Sequence, residues 1–185
     1  MIIEKKELFE LFYAWILISL AFSIALFRED FLEVFFLSFV CVGLGFLLHE
    51  LAHKFTAIKF GIEARFHADN KMLVFALITS FLGIILASPG YVKLKGFFNE
   101  KISGIVAFFG PFANLVLALF FLPLSFFEGY LGVFGQFGFF VNSYLGLFNM
   151  VPIDPFDGRK IWVWSKFYYL VLAISLLILT VFAFI

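Results

Sequence analysis

Much of the chemistry available to this 185-residue chain is concentrated in His49, Glu50 and His53, which read His-Glu-Leu-Ala-His. On a helix, positions 49 and 53 are i and i+4, so both imidazoles leave the same face about one turn apart. That spacing lets two ring nitrogens reach one zinc ion at ~2.0 to 2.1 Å. Glu50 lies about 100° round the helix, beside such a metal and not on it, where its carboxylate can take a proton from a metal-activated water. The same five-residue pattern occurs on ordinary helices. There the histidines would only hydrogen-bond, and Glu50 would pair with Lys54 or Arg65. The surroundings favour the metal. Gly43 to Leu48 precede the motif without a charge, and ionisable groups inside an apolar helix are costly and usually carry a task.

A catalytic zinc takes a third protein ligand and keeps one position open. His67, the remaining histidine, falls in a segment that reads as an exposed strand face. The stretch Asn149 to Gly158 is a better source, because Pro152 and Pro155 prevent a regular helix there. Irregular backbone can deliver a carboxylate from Asp154 or Asp157, although Asp157-Gly158 is also an ordinary turn sequence. The single cysteine, Cys41, excludes an internal disulfide framework and a cysteine-based zinc cluster, and reads as a small packing residue.

The elements that position these groups are membrane elements. Hydrophobic residues make up 64% of the chain, charged residues 14%, and the mean hydropathy is +1.09. Soluble domains carry about 25% charged residues. Lys plus Arg and Asp plus Glu number 13 each, so no basic excess argues for nucleic acid. Residues 8–27, 31–56, 102–122, 131–151 and 167–185 are each apolar over roughly the 17 to 25 residues that a spanning helix needs. No cleavable leader is expected at the N-terminus, where Glu4, Lys5, Lys6 and Glu7 are mixed in sign.

A sixth apolar run, 72–92, is long enough to span but contains Thr79, Ser80, Gly83, Ser88, Pro89 and Gly90. If it spans, the basic residues divide almost evenly between the two sides. If it re-enters, only Arg28 lies outside and the other 12 of the 13 lie inside, which satisfies the positive-inside rule. The re-entrant reading also returns residues 152–166 to the side of His49 and His53. On either flank the pattern has period two: Ile62 to Ala68 alternate strictly, as do Val92 to Lys95. These read as strands of a small interfacial sheet, with Asp69 and Asn70 as turn material and Gly96 ending the second strand. Asn99 is placed to cap the helix that follows. The expected fold is an all-α polytopic membrane protein of about five to six transmembrane helices, with a small interfacial β-sheet flanking a re-entrant segment. It forms one domain over 1–185, with a motif-bearing core of about 31–160.

Taken in order, His49-Glu50-Leu51-Ala52-His53, then Gly110-Pro111-Phe112-Ala113-Asn114, then Asn149-x-x-Pro152 with Asp157-Gly158, resemble the motifs of the site-two protease family of intramembrane zinc metalloproteases. The resemblance covers about residues 40 to 160. It implies one zinc ion held by His49, His53 and Asp157, Glu50 as general base, and Asn114 and Asn149 as polar groups near the substrate and the oxyanion. It also implies cleavage of a transmembrane segment of another membrane protein. The expected location is a prokaryotic cell membrane, with the site toward the cytoplasmic side. Arg159 departs from the pattern, standing where the family commonly has a second glycine, and no PDZ-like or CBS-like module is visible.

Two other readings compete. Membrane metalloproteases that take a downstream glutamate as third ligand would need it on an apolar helix, and Glu63, Glu100 and Glu128 are not so placed. A zinc transporter would carry further polar pairs along its spans, which are scarce; an inactive zinc-binding scaffold would keep the metal without turnover. For a protease, a helical substrate hides its peptide bonds. The strands at 62–68 and 91–95 therefore offer an edge on which a locally extended substrate segment can be held.

Overall fold

A computed structural model describes residues 4–26, 30–85, 89–96 and 98–185. Arg28 and residues 86–88 of the 72–92 run lie outside the described residues. The order is α1 (Lys5–Leu26), α2 (Phe31–Lys59), β1 (Glu63–Ala68), α3 (Asn70–Ser80), β2 (Gly90–Lys95), α4 (Glu100–Phe121), a 3-10 turn (Leu122–Phe126), α5 (Gly129–Asn149), α6 (Asp157–Trp164) and α7 (Lys166–Phe182). Helix starts follow local chemistry. Asp30 caps α2 by accepting from the N–H groups of Leu32 and Glu33, and Asn99 caps α4 by accepting from Ile102 N–H at 2.9 Å. Asp69, expected as turn material, accepts from the N–H groups of Lys71 and Met72 and so starts α3. Asn70 is already helical.

Four helices among the described residues are long and apolar enough to cross a membrane: α1, α2, α4 with its 3-10 extension, and α5. The expected count of five to six is therefore not confirmed. The 167–185 run yields the 17-residue α7, and the 72–92 run yields the 11-residue α3, only about 16 Å long. The segment after β1 does not traverse the molecule. Strands β1 and β2 are antiparallel, with Ala68 directly opposite Gly90, so the chain returns to the place it left. Between His53 and Asp157 it makes two long passes, α4 and α5, which bring both residues to the same end.

Helix α1 locks the sheet to the metal-motif helix. The Glu7 carboxylate, 1% exposed, accepts from Lys54 Nζ at 2.6 and 2.5 Å and from Phe66 N–H at 2.9 Å. Lys54 is the residue after His53 and is 2% exposed. One turn on, Glu10 accepts from Ala68 N–H at 3.2 Å, and Glu4 pairs with Arg65 at 2.8 Å. The outward N–H groups of Phe66 and Ala68 are thus satisfied by side chains, which blocks further pairing along that part of the β1 edge. The other sheet face packs inward, with Phe66 against Phe46 of α2 at 5.6 Å between ring centroids.

A buried ion pair that loses one partner leaves an uncompensated charge, at a cost of about 3 to 5 kcal/mol. Lys54→Met should therefore lower thermal stability in detergent by roughly that amount. Adding Glu7→Gln should recover most of it, because glutamine still accepts from Phe66 N–H without a charge. Equal stability of the single and double variants would contradict this account of the pair.

Candidate metal centre

Helix α2 presents His49 and His53 toward α4, and the first residue of α6 presents Asp157 between them. His49 Nε2 is 3.2 Å and His53 Nε2 is 3.0 Å from Asp157 Oδ2. One ligand atom from each residue lies within 4.8 Å of the others, and all three residues are buried. The second nitrogen of each ring explains this orientation. His53 Nδ1 is 2.8 Å from the Val106 carbonyl, which can only accept, so Nδ1 carries the proton. His49 Nδ1 is 2.6 Å from Asn114 Oδ1. The Asn114 amide is itself fixed, because its Nδ2 donates to the Gly45 carbonyl and to Asn142 Oδ1, each at 3.2 Å. Asn142 in turn donates to the Gly138 carbonyl at 2.9 Å. Both rings therefore direct Nε2 toward Asp157, the outer arrangement that holds and tunes histidine ligands in metal sites.

This donor set fits zinc. Two Nε2 lone pairs and a carboxylate oxygen face each other at 3.0 to 3.2 Å, which is repulsive unless the rings take second protons or a cation lies between the ligands. Burial works to raise the Asp157 carboxyl. The neighbouring His53, His49 and Lys160 outweigh it and hold the group well below the usual carboxylate range. It is ionised and ready for a cation. Room is left by Gly110 of α4, where a Cβ would come within 2.3 Å of His53 Nε2 and 2.7 Å of His49 Nε2. Glu50 Oε2 is buried with no hydrogen-bond partner. A buried oxygen left without a partner beside three candidate metal ligands is suited to a group held at the metal.

These groups open into a cavity of about 320 Å³. Its walls include Glu50, the backbone run Gly90 to Leu94 of β2, Asn149 of α5, and Lys160 of α6. The structure brings together His49, Glu50, His53, Asp157 and Asn149. Asn149 faces the cavity while donating to the Leu145 carbonyl at 3.0 Å. Asn114 has a different place from the one expected near substrate. It is 0% exposed, and its amide donors serve Gly45 and Asn142, so it orients His49. Asp154 pairs with Arg159 and stands outside the ligand cluster. His67 stays on the sheet, 3.4 Å from Glu10.

Several contributors are not evident from the sequence. Helix α6 is one: residues 152–156 are irregular, as two prolines require, but a helix then begins at Asp157 itself. Gly158 permits this, since a Cβ there would lie 2.2 Å from the Met150 carbonyl oxygen. In the Asp-Gly pair, the aspartate supplies the ligand atom and the glycine lets the helix seat against the end of α5. Pro111 supplies no N–H to Ala107 four residues earlier, so the α4 hydrogen-bond ladder is interrupted beside the cavity wall.

The fold and site define a helical membrane-type protein with a His-His-Asp metal centre and an adjacent buried glutamate. Comparison with known proteins gives the family. The chain is 34% identical over 179 residues to "Putative zinc metalloprotease MJ0611" of Methanocaldococcus jannaschii, covering 94% of this chain and 92% of that protein. It is 30% identical over 141 residues to "Putative zinc metalloprotease YwhC" of Bacillus subtilis, covering 63% of each. The chain belongs to this zinc metalloprotease family, and zinc is the metal for which the His49, His53 and Asp157 cluster is built. No protein-family model matches it, and no solved structure matches it.

Asp157→Ala should lower zinc content, measured by elemental analysis of purified protein, while Asp154→Ala should leave it at the wild-type level. The reverse pattern would reassign the ligand. Loss of an outer hydrogen bond to a metal-binding histidine typically costs 10-fold to 100-fold in affinity. Asn114→Ala should weaken zinc binding in a chelator competition by about that factor, and an unchanged affinity would remove Asn114 from the site.

Proposed function

We propose that this protein is an intramembrane zinc metalloendopeptidase of the site-two protease type. It hydrolyses a peptide bond in or near a transmembrane segment of another membrane protein, in a prokaryotic cell membrane, with its site toward the cytoplasm. One observation carries the reading: His49 and His53 of the metal cluster and the unpartnered Glu50 Oε2 all lie on α2, a helix long and apolar enough to span a bilayer. The positive-inside count supports the orientation. Of the 13 basic residues, all but Arg28 fall on the side of His49 if residues 69–89 leave and rejoin the sheet without crossing.

When bound, zinc supplies Lewis-acid polarisation of a carbonyl and a water acidified toward neutral pH. The chain supplies the rest. Glu50 accepts the proton of the attacking water and returns it to the leaving amine, the role its buried, unpartnered Oε2 suits. Asn149 keeps an amide proton beyond the one it gives to Leu145, and this proton can reach a substrate carbonyl in the cavity. The substrate segment unwinds and adds to the free edge of β2, the strand that forms one wall of that cavity. The opposite edge, on β1, is closed by Glu7 and Glu10.

Positioned acid-base groups contribute about 10² to 10⁴ in rate. Glu50→Gln should thus keep zinc at the wild-type level and cut turnover of a single-span reporter substrate by at least 100-fold. Equal product from both proteins would reject Glu50 as the base. Val92→Pro should depress cleavage several-fold with zinc content intact, because it removes an N–H from the substrate-facing edge. Unchanged turnover would reject strand addition.

A further inference from the structure

The clamp made by α1 also fixes which groups of β2 meet the substrate, and with them a charge preference. Phe66 and Ala68 turn their N–H groups outward to Glu7 and Glu10. Backbone direction alternates along a strand, so Arg65 and His67 are the residues that exchange hydrogen bonds with β2, opposite Lys93 and Tyr91. Val92 and Leu94, opposite Phe66 and Ala64, then point their backbone groups to the free edge that walls the cavity.

A strand added at that edge continues the pleat. Its side chains across from Val92 and Leu94 fall on the inward, apolar face with Ala64 and Phe66. The side chain across from Lys93 falls on the other face, among Arg65, Tyr91 and Lys95. That face is mostly neutralised. Arg65 pairs with Glu4 and Lys95 with Glu63, each at 2.8 Å, and His67 faces Glu10. Lys93 is exposed and forms no ion pair among the described residues. It stands directly opposite Arg65, although like charges across a strand pair are unfavourable. On the cavity wall Lys160 adds a second cation, its Nζ 3.8 Å from Asp157 Oδ1.

We infer that Lys93 is a specificity-determining residue that reads an acidic side chain on the extended substrate segment, with apolar residues flanking that acid against Val92 and Leu94. The inference rests on the strand-addition reading above. It gives a role to a lysine that stands without an ion pair among the described residues, in the middle of the strand that borders the metal cluster.

The test uses full-length, zinc-loaded protein in detergent. The substrates are single-span reporters whose cleaved segment is uncharged, with one Asp or one Lys placed at each of six successive positions across the scissile bond. The reading is the ratio of kcat/KM for Asp over Lys at each position. Directly opposed side chains contribute about 0.2 to 1 kcal/mol, so wild type should prefer Asp by about threefold at one position. Lys93→Glu should invert the ratio at that position, and Lys95→Gln should keep the wild-type ratio. Binding of the same peptides to the Glu50→Gln background, read by fluorescence anisotropy, should show the same inversion. A ratio unaffected by Lys93→Glu, or inverted equally by Lys95→Gln, would overturn the inference while leaving the protease reading intact. Failure of wild type to cut even the uncharged parent would overturn both.

Discussion

Two imidazoles one turn apart on a helix share an ion only when both rings are rotated to present the same nitrogen, and that rotation is set at the opposite nitrogen of each ring. Here both settings come from α4: the Val106 carbonyl holds His53 and Asn114 holds His49. The position of α4 against α2 is therefore the condition on which the site depends. Gly110 allows the close approach, since any Cβ there would collide with both rings. Helix α5 fixes the Asn114 amide through Asn142, and its far end supplies the carbonyl against which Gly158 seats α6 and hence Asp157. Three packed helices and one short one thus converge on a few atoms.

A second dependence runs through α1. The stripe Glu4, Glu7 and Glu10 faces the strand, and its buried member also holds Lys54, next to the second histidine of the metal cluster. A buried ion pair is not in itself strong evidence of stabilisation, because desolvation of both partners offsets much of their attraction. Its structural consequence is plainer. One carboxylate fixes the distance between the metal-motif helix and the sheet, and it closes the sheet edge that faces away from the cavity. The β2 edge remains for pairing on the metal side.

The legible parts of this molecule are those that repeat with a period or obey a spacing. The i, i+4 histidines, the alternation at 62–68 and 92–95, and four of the apolar spans are local patterns, and each corresponds to an observed element. Proline chemistry showed that residues 152–156 could not be helical, and the placement of 152–166 beside His49 followed from the charge count. What escaped depends on partners distant in sequence. Nothing local ties Glu7 to Lys54, 47 residues apart, or Asn114 to His49, 65 residues apart. The role of Asn114 turned on whether its amide faced the cavity or the neighbouring helices, a matter of helix rotation. Length alone left the number of spans open: the 72–92 run, read as re-entrant, holds the short α3 and part of β2, and the 167–185 run forms the 17-residue α7.

Under the proposed function these residues cut a peptide bond that normally lies in a bilayer. The most direct test is to reconstitute the zinc-loaded protein in liposomes with a single-span substrate and to determine the intact masses of the products. New termini are expected within or at the edge of the apolar segment, absent when the metal is removed. Cleavage confined to the water-soluble tails, with the apolar segment left whole, would contradict it.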